Sequence, residues 1–261
     1  MESPATVAVT TPGLPLLARN QFLVKRLFSL TGLFFGGYVI VHLLTNASLL
    51  AGVATFQSSV DRIHDLGPAL PIIEWVFLFI PILFHSLVGW MVIAGAVPNL
   101  SVYRYASNVR YTLQRVTAII LFFFILGHVL HMHQLGAAFG GARFKPEAAS
   151  SSLAEALQSA LWVQLFYALG VLSAAFHLGN GIWTAGITWG LWTTPAGQKR
   201  ANYFAVACGV LITLAGFGAM AGAQKVDIQQ AKIIEQRIEY FRRALRGEVA
   251  VEPGIEHSVA N

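Results

Sequence analysis

The feature that most constrains this chain is a series of five apolar runs, at about residues 27–50, 72–97, 113–137, 160–186 and 203–223. Each is long enough for the roughly 20 residues that a helix needs to cross a bilayer. Glu74 and Arg115 sit near run ends, and the interiors carry no charge. Hydrocarbon offers no hydrogen-bond partners, so backbone that crosses it must pair with itself, as a helix does. The expected fold class is an all-α membrane protein with five transmembrane helices. Composition supports this: 56% of residues are hydrophobic and 11% charged, where a soluble domain carries about 25% charged. That balance excludes a cytosolic globular enzyme, a disordered chain and a nucleic-acid binder, despite a pI near 9.6.

The runs divide the chain. Residues 1–20, rich in Thr, Pro and Ala, read as a loose tail without the pattern of a signal peptide. Residues 21–223 form the transmembrane domain, and 224–261 a C-terminal amphipathic helix and tail. In the last segment Ile228, Ala231, Ile234, Ile238, Phe241 and Leu245 recur at helical spacing. Such a helix is expected to lie on the bilayer or to bind a partner. With the N-terminus inside, the inner segments hold Arg19, Lys25, Arg26, Arg104, Arg110, Arg115, Lys199 and Arg200, and the outer loops only Arg62, Arg143 and Lys145. The positive-inside rule then predicts a multi-pass protein of the inner (cytoplasmic) membrane with a cytoplasmic N-terminus.

Ionisable residues are costly inside a membrane and mark function when they occur. Here His42 lies in the first run, His85 in the second, His128 with His131 and His133 in the third, and His177 in the fourth. At 1.5 Å per residue, His42 and His128 each sit roughly 22 Å above the inner edge, and His85 and His177 roughly 20–24 Å below the outer edge. That makes two pairs at two heights. The chain also half-repeats: Thr31 precedes His42 by eleven residues, and Thr117 precedes His128 by eleven. Phe84-His85 is followed by Gly89 and Trp90, and Phe176-His177 by Gly181 and Trp183. A glycine four residues on shares the histidine's helix face and leaves room for a flat ligand.

A lone intramembrane histidine is most often a hydrogen-bonded packing residue. Four at matched depth and in matched surroundings point instead to two six-coordinate haems, each gripped by imidazoles from facing helices. The ligand in the third run is His128 or His131, and the eleven-residue spacing favours His128; His131 and His133 fall nearer the outer interface, solvated or near a quinone. Cys208 is the only cysteine, which excludes an internal disulfide, a Cys-based zinc site and an Fe–S cluster.

The chain resembles the membrane cytochrome b subunit of succinate dehydrogenase/fumarate reductase, in its single-subunit, five-helix, two-haem form. The resemblance spans roughly residues 20–222. It rests on Lys25-Arg26-Leu27-Phe28-Ser29-Leu30-Thr31-Gly32, Pro81-Ile82-Leu83-Phe84-His85, Leu113-Gln114-Arg115-Val116-Thr117 and Phe176-His177-Leu178-Gly179-Asn180-Gly181-Ile182-Trp183. It implies that His42 and His128 ligate an outer haem b and His85 and His177 an inner one. It implies docking to an iron–sulfur subunit, itself joined to a flavoprotein subunit, and exchange of electrons with a membrane quinone, menaquinone for this class. Arg26, Ser29, Tyr111, Gln114 and Arg115 cluster at the inner ends of runs one and three, as interface anchors or as donors to haem propionates; Lys199 and Arg200 are placed to help. Near the outer side, His64, Asp61, Asp65 and Glu74 are candidates for proton exchange with a quinone, or ordinary loop residues. Some menaquinone-linked members carry a glutamate two residues before the fourth ligand; here Ala175 stands there. No dinucleotide loop accompanies these features, so no dehydrogenase site is expected in the chain itself. A haem-free anchor, a transporter with a histidine-lined path, and a cytochrome b of another dehydrogenase or hydrogenase are the rival readings.

Overall fold

The structure, a computed structural model, describes residues 20–96, 99–134 and 143–249, with the side chains of residues 133 and 134 left aside. The N-terminal tail through Arg19, the His133 side chain and His257 thus lie outside the described residues. Five helical segments are long and apolar enough to cross a membrane: Gln21–Ala51, Ala69–Ala94, Ala106–Met132, Leu161–Thr188 and Pro195–Lys225. They coincide with the five apolar runs to within a few residues, except that the first, third and fifth begin six to eight residues before their runs.

We number the helices α1 (Gln21–Ala47), α2 (Val53–His64), α3 (Ala69–Ala94), α4 (Ala106–Val129), α5 (Ala149–Gln158), α6 (Leu161–Thr188), α7 (Pro195–Lys225) and α8 (Ile228–Leu245). α3 widens into a π-helical turn over Trp75–Phe79. Pro81 follows directly and has no N–H to give to the carbonyl four residues back, so the ladder there must readjust. A second π-helical turn, Leu130–Gln134, extends α4 at its outer end. Thr194 starts α7 by accepting the Gly197 N–H at 3.1 Å, with Pro195 in the first turn.

α6 packs between α4 and α7, while α1 packs on α3, α6 and α7. α3 and α4 barely touch. α6 and α7 meet backbone to backbone: a Cβ on Gly179 would lie 2.8 Å from Ala205 O, and one on Gly209 3.2 Å from Ala175 O. Without a hydrophobic drive between helices in lipid, such close approach through small residues is what holds them together. Further glycines of α7 make close contacts too, Gly216 against Val171, Gly218 against Leu50 and Gly222 against Leu49.

The densest apolar cluster sits at one end of the bundle, beyond His128. Leu49, Phe56, Val60, Met132, Leu153, Leu157, Val163, Tyr167 and Ala223 form it. Here α2, α5 and α8 build a helical cap across the ends of α1, α4, α6 and α7. Glu235 of α8 is 2% exposed and accepts from Ser150 N (2.6 Å), Ser151 N (3.0 Å) and Ser151 Oγ (2.5 Å), so its carboxylate caps the N-terminus of α5. Arg242 pairs with Asp61, and Lys232 with Glu155 at 2.5 Å. Along one face the C-terminal helix therefore packs on this chain itself. Its Ala231 and Glu235 face is buried against α2 and α5, because the face that looked apolar by spacing also carries a carboxylate with three donors waiting for it.

Candidate functional site

The four intramembrane histidines meet as two pairs. His42 of α1 faces His128 of α4 with ring centres 5.9 Å apart, and His85 of α3 faces His177 of α6 at 6.4 Å. Both pairs cross at steep angles, 79° and 83°. Two metal–nitrogen bonds of about 2 Å and the nitrogen-to-centre distance of each ring place axial imidazoles with their centres about 6 Å apart. Both spacings therefore suit one metal atom between the rings.

Each inner histidine is fixed by its own half of the chain. His85 Nδ1 lies 3.0 Å from Phe28 O, and its ring stacks on Phe28 at 4.2 Å. His177 Nδ1 lies 3.2 Å from Gln114 O and 3.3 Å from Thr117 Oγ1. A carbonyl oxygen only accepts, so Nδ1 carries the proton in both rings and the Nε2 lone pair is left for a ligand. Phe28 precedes His42 by fourteen residues, and Gln114 precedes His128 by fourteen. Thr31 and Thr117 make the same bifurcated bonds, to Leu27 O and Phe28 O in α1 and to Leu113 O and Gln114 O in α4. The half-repeat seen in the sequence is thus a structural repeat, α1–α3 and α4–α6. In each half the inner histidine docks on the neighbouring helix eleven to fourteen residues below the outer one. At 1.5 Å per residue the two levels stand about 16–21 Å apart along the helices.

Space on the histidine faces agrees. A Cβ on Gly32 would meet His85 Cε1 at 2.7 Å, so only glycine lets the imidazole lie on α1. Gly89 and Gly181, the glycines after His85 and His177, are open instead: a Cβ there would find nothing nearer than 3.8 and 3.9 Å.

The outer pair is held by side chains. His128 Nδ1 lies 3.1 Å from Tyr167 Oη, which also lies 3.2 Å from His131 Nδ1. His131 is 5% exposed and its Nε2 has no hydrogen-bond partner. Of the two positions expected for His131, the solvated one does not hold: its ring is buried against Tyr167 and Trp162 of α6. Asn46 Nδ2 donates to His42 O at 2.7 Å and stands 3.4 Å from His42 Nε2, a long contact that a metal bond would replace.

Of the predicted propionate donors, Arg26 and Arg115 each keep a buried Nε without a partner. Arg26 lies over Phe22 and Trp189, Arg115 over Tyr111, where it also donates to Tyr111 O. Ser29 Oγ accepts from Trp189 Nε1 at 3.2 Å. Gln114 is engaged elsewhere: its amide donates to His177 O (3.2 Å) and accepts from Asn180 (2.7 Å). Asn180 in turn accepts twice from Arg110, which donates also to Asn202 and stacks on Trp183. Sequence reasoning counted Arg110 only as a topology charge; its partners lie 70 and 92 residues away, with no local signal to reveal them. Among the outer candidates, Asp61 is committed to Arg242 and Gln57, and His64 Nδ1 to Val60 O. Ala175 is 5% exposed, and its main-chain carbonyl lies against Gly209.

Two comparisons bear on this geometry. Residues 94–216 match the succinate dehydrogenase/fumarate reductase transmembrane subunit family. The succinate dehydrogenase cytochrome b558 subunit of Bacillus subtilis (strain 168) is 31% identical over 202 residues, which cover 77% of this chain and 96% of that one. The chain belongs to the succinate dehydrogenase/fumarate reductase transmembrane subunit family. Its fold, five spans and no strand among the described residues, is what such a membrane anchor needs. A transmembrane subunit of this kind implies a complex with other subunits.

Proposed function

We propose that this family member is a di-haem cytochrome b, passing electrons between the iron–sulfur subunit of a succinate:quinone oxidoreductase and menaquinone. The B. subtilis relative is named a cytochrome b558 subunit, which supports haem b here. The observation that carries the two-haem reading is the pairing of four histidines at ring-centre distances of 5.9 and 6.4 Å on two levels. His42 and His128 hold the outer haem, His85 and His177 the inner one.

A six-coordinate haem supplies a one-electron iron couple with no position left for oxygen. The protein does the rest. Phe28 O and Gln114 O hold the inner imidazoles in one tautomer and orientation, as outer-shell acceptors do for metal-bound histidine. Arg26 and Arg115, with Ser29, Tyr111 and Gln114 around them, offer charge-assisted donors to the inner propionates. The apolar helices exclude water from both levels. Basic side chains at the inner end, Lys199 and Arg200 among them, face the iron–sulfur subunit, which in turn carries the flavoprotein; the N-terminus is cytoplasmic. On the outer side the quinone takes or gives protons where the buried His131 and the groups Glu74 of α3, His64 at the end of α2 and Asp65 lie.

Haem extraction tests the assignment. The wild-type complex is expected to yield two haems per chain by pyridine haemochromogen, His128→Ala one, and His131→Ala two. A wild-type value below one haem, or loss of haem in His131→Ala and not in His128→Ala, refutes it.

A further inference from the structure

The two histidine levels differ in what orients them. The inner imidazoles donate to main-chain carbonyls, whereas His128 Nδ1 meets a phenol, Tyr167, that is 7% exposed and built into the core of the cap. The same oxygen meets His131 Nδ1. We propose that Tyr167 is the positioning residue of the outer haem ligand, with the direction of its hydroxyl set by His131. This rests on the reading of His128 as an iron ligand.

The proton order follows from valence. If His128 binds iron through Nε2, its Nδ1 carries the remaining proton and donates to Tyr167 Oη. Tyr167 has one proton of its own, and a second imidazole nitrogen stands 3.2 Å away. That proton points to His131 Nδ1, which accepts. His131 as a neutral ring then carries its proton on Nε2, the buried atom without a partner. One ordered chain results: His128 Nδ1–H to Tyr167, Tyr167 O–H to His131, and a free N–H beyond. A hydroxyl that gives its own proton away becomes a better acceptor for the next donor, so His131 strengthens the pull of Tyr167 on His128.

Hydrogen bonding to the second nitrogen of a metal-bound imidazole raises its basicity. A more basic ligand favours the oxidised iron, so the chain holds the outer haem's potential down. The inner haem is insulated from this effect, since its histidines answer to Phe28 and Gln114. A purely structural role for Tyr167 would leave the potential alone, because Tyr167→Phe keeps the ring and removes only the oxygen.

The test is potentiometric titration of the b-haem absorbance in the assembled membrane complex, with low-spin electron paramagnetic resonance on the same samples. Tyr167→Phe is expected to retain two haems and to shift the outer reduction equilibrium about tenfold toward reduced iron, which is about 59 mV for one electron. His131→Ala is expected to retain both haems with a smaller shift in the same direction. The inner potential stays in place in both. Two haems with an unmoved outer potential in Tyr167→Phe overturn the proposal, as does a shift confined to the inner haem. His128→Ala serves as the independent control: if it keeps both haems, the ligand reading itself falls, whatever Tyr167→Phe shows.

Discussion

Replacing Gly32 by alanine tests how tightly the inner haem level is built. The added Cβ would stand 2.7 Å from His85 Cε1 and 3.0 Å from Nδ1. Non-bonded carbons settle at about 3.5–4.0 Å, so the imidazole must back away by roughly 1 Å. Its escape is restricted. Phe28 O, which holds Nδ1 at 3.0 Å, is the carbonyl that accepts the Gly32 N–H in an α-helix, so retreat from Gly32 is retreat from Phe28 O. A hydrogen bond stretched toward about 4 Å is lost. Losing an outer-shell partner of a metal-bound histidine costs about 10–100-fold in affinity, or roughly 1.4–2.7 kcal/mol. Gly32→Ala is therefore expected to lower retention of the inner haem by that factor while the outer haem, some 15 Å away along α1, is unaffected. Competition with apomyoglobin for haem, followed at the two haems' separate absorption maxima, reads both levels at once. Equal retention of both haems in wild type and variant would refute the claim that His85 is clamped between Gly32 and Phe28.

Two further outcomes follow from other parts of the fold. Arg26→Gln and Arg115→Gln each remove a buried guanidinium Nε that lacks a partner; charge-assisted bonds contribute about 1.5–3 kcal/mol, so haem is expected to leave about tenfold faster in either, while Lys25→Gln leaves the rate unchanged. Glu235→Ala strips three donors of their acceptor at the start of α5 and is expected to cost roughly 2 kcal/mol, seen as earlier proteolysis between α7 and α8 on heating, with the haem spectrum at low temperature intact.

What the sequence revealed and what it hid divide along a physical line. The spans were legible because hydrocarbon thickness dictates their length. The two histidine levels were legible because each helix rises by a fixed amount per residue, so depth can be counted from a run's edge. The eleven-residue spacing from Thr31 to His42 and from Thr117 to His128 was visible as well, though its cause was not: it measures the distance from an outer histidine down to the turn on which the inner one rests. The Nδ1 bonds to Phe28 O and Gln114 O use main-chain atoms, which every residue has, so no side-chain pattern announces them. The cap was missed for a different reason. Glu235 reads as a solvated charge on an amphipathic helix, and nothing near it in sequence discloses that Ser150 and Ser151, 85 and 84 residues away, present it with donors.

The same division separates the two haem levels in how they can change. The inner imidazoles are steered by carbonyls of α1 and α4, and a carbonyl cannot be mutated; only glycine at position 32 and the threonine turns above it guard that arrangement. At the outer level the steering atom belongs to a side chain, Tyr167, whose neighbours His131 and Met132 sit on the π-helical extension of α4 and beneath the cap. Residues three apart share a helix face, so His131 shares Tyr167 with His128, three residues before it. The outer level is thus the one that residue changes can tune without dismantling the bundle.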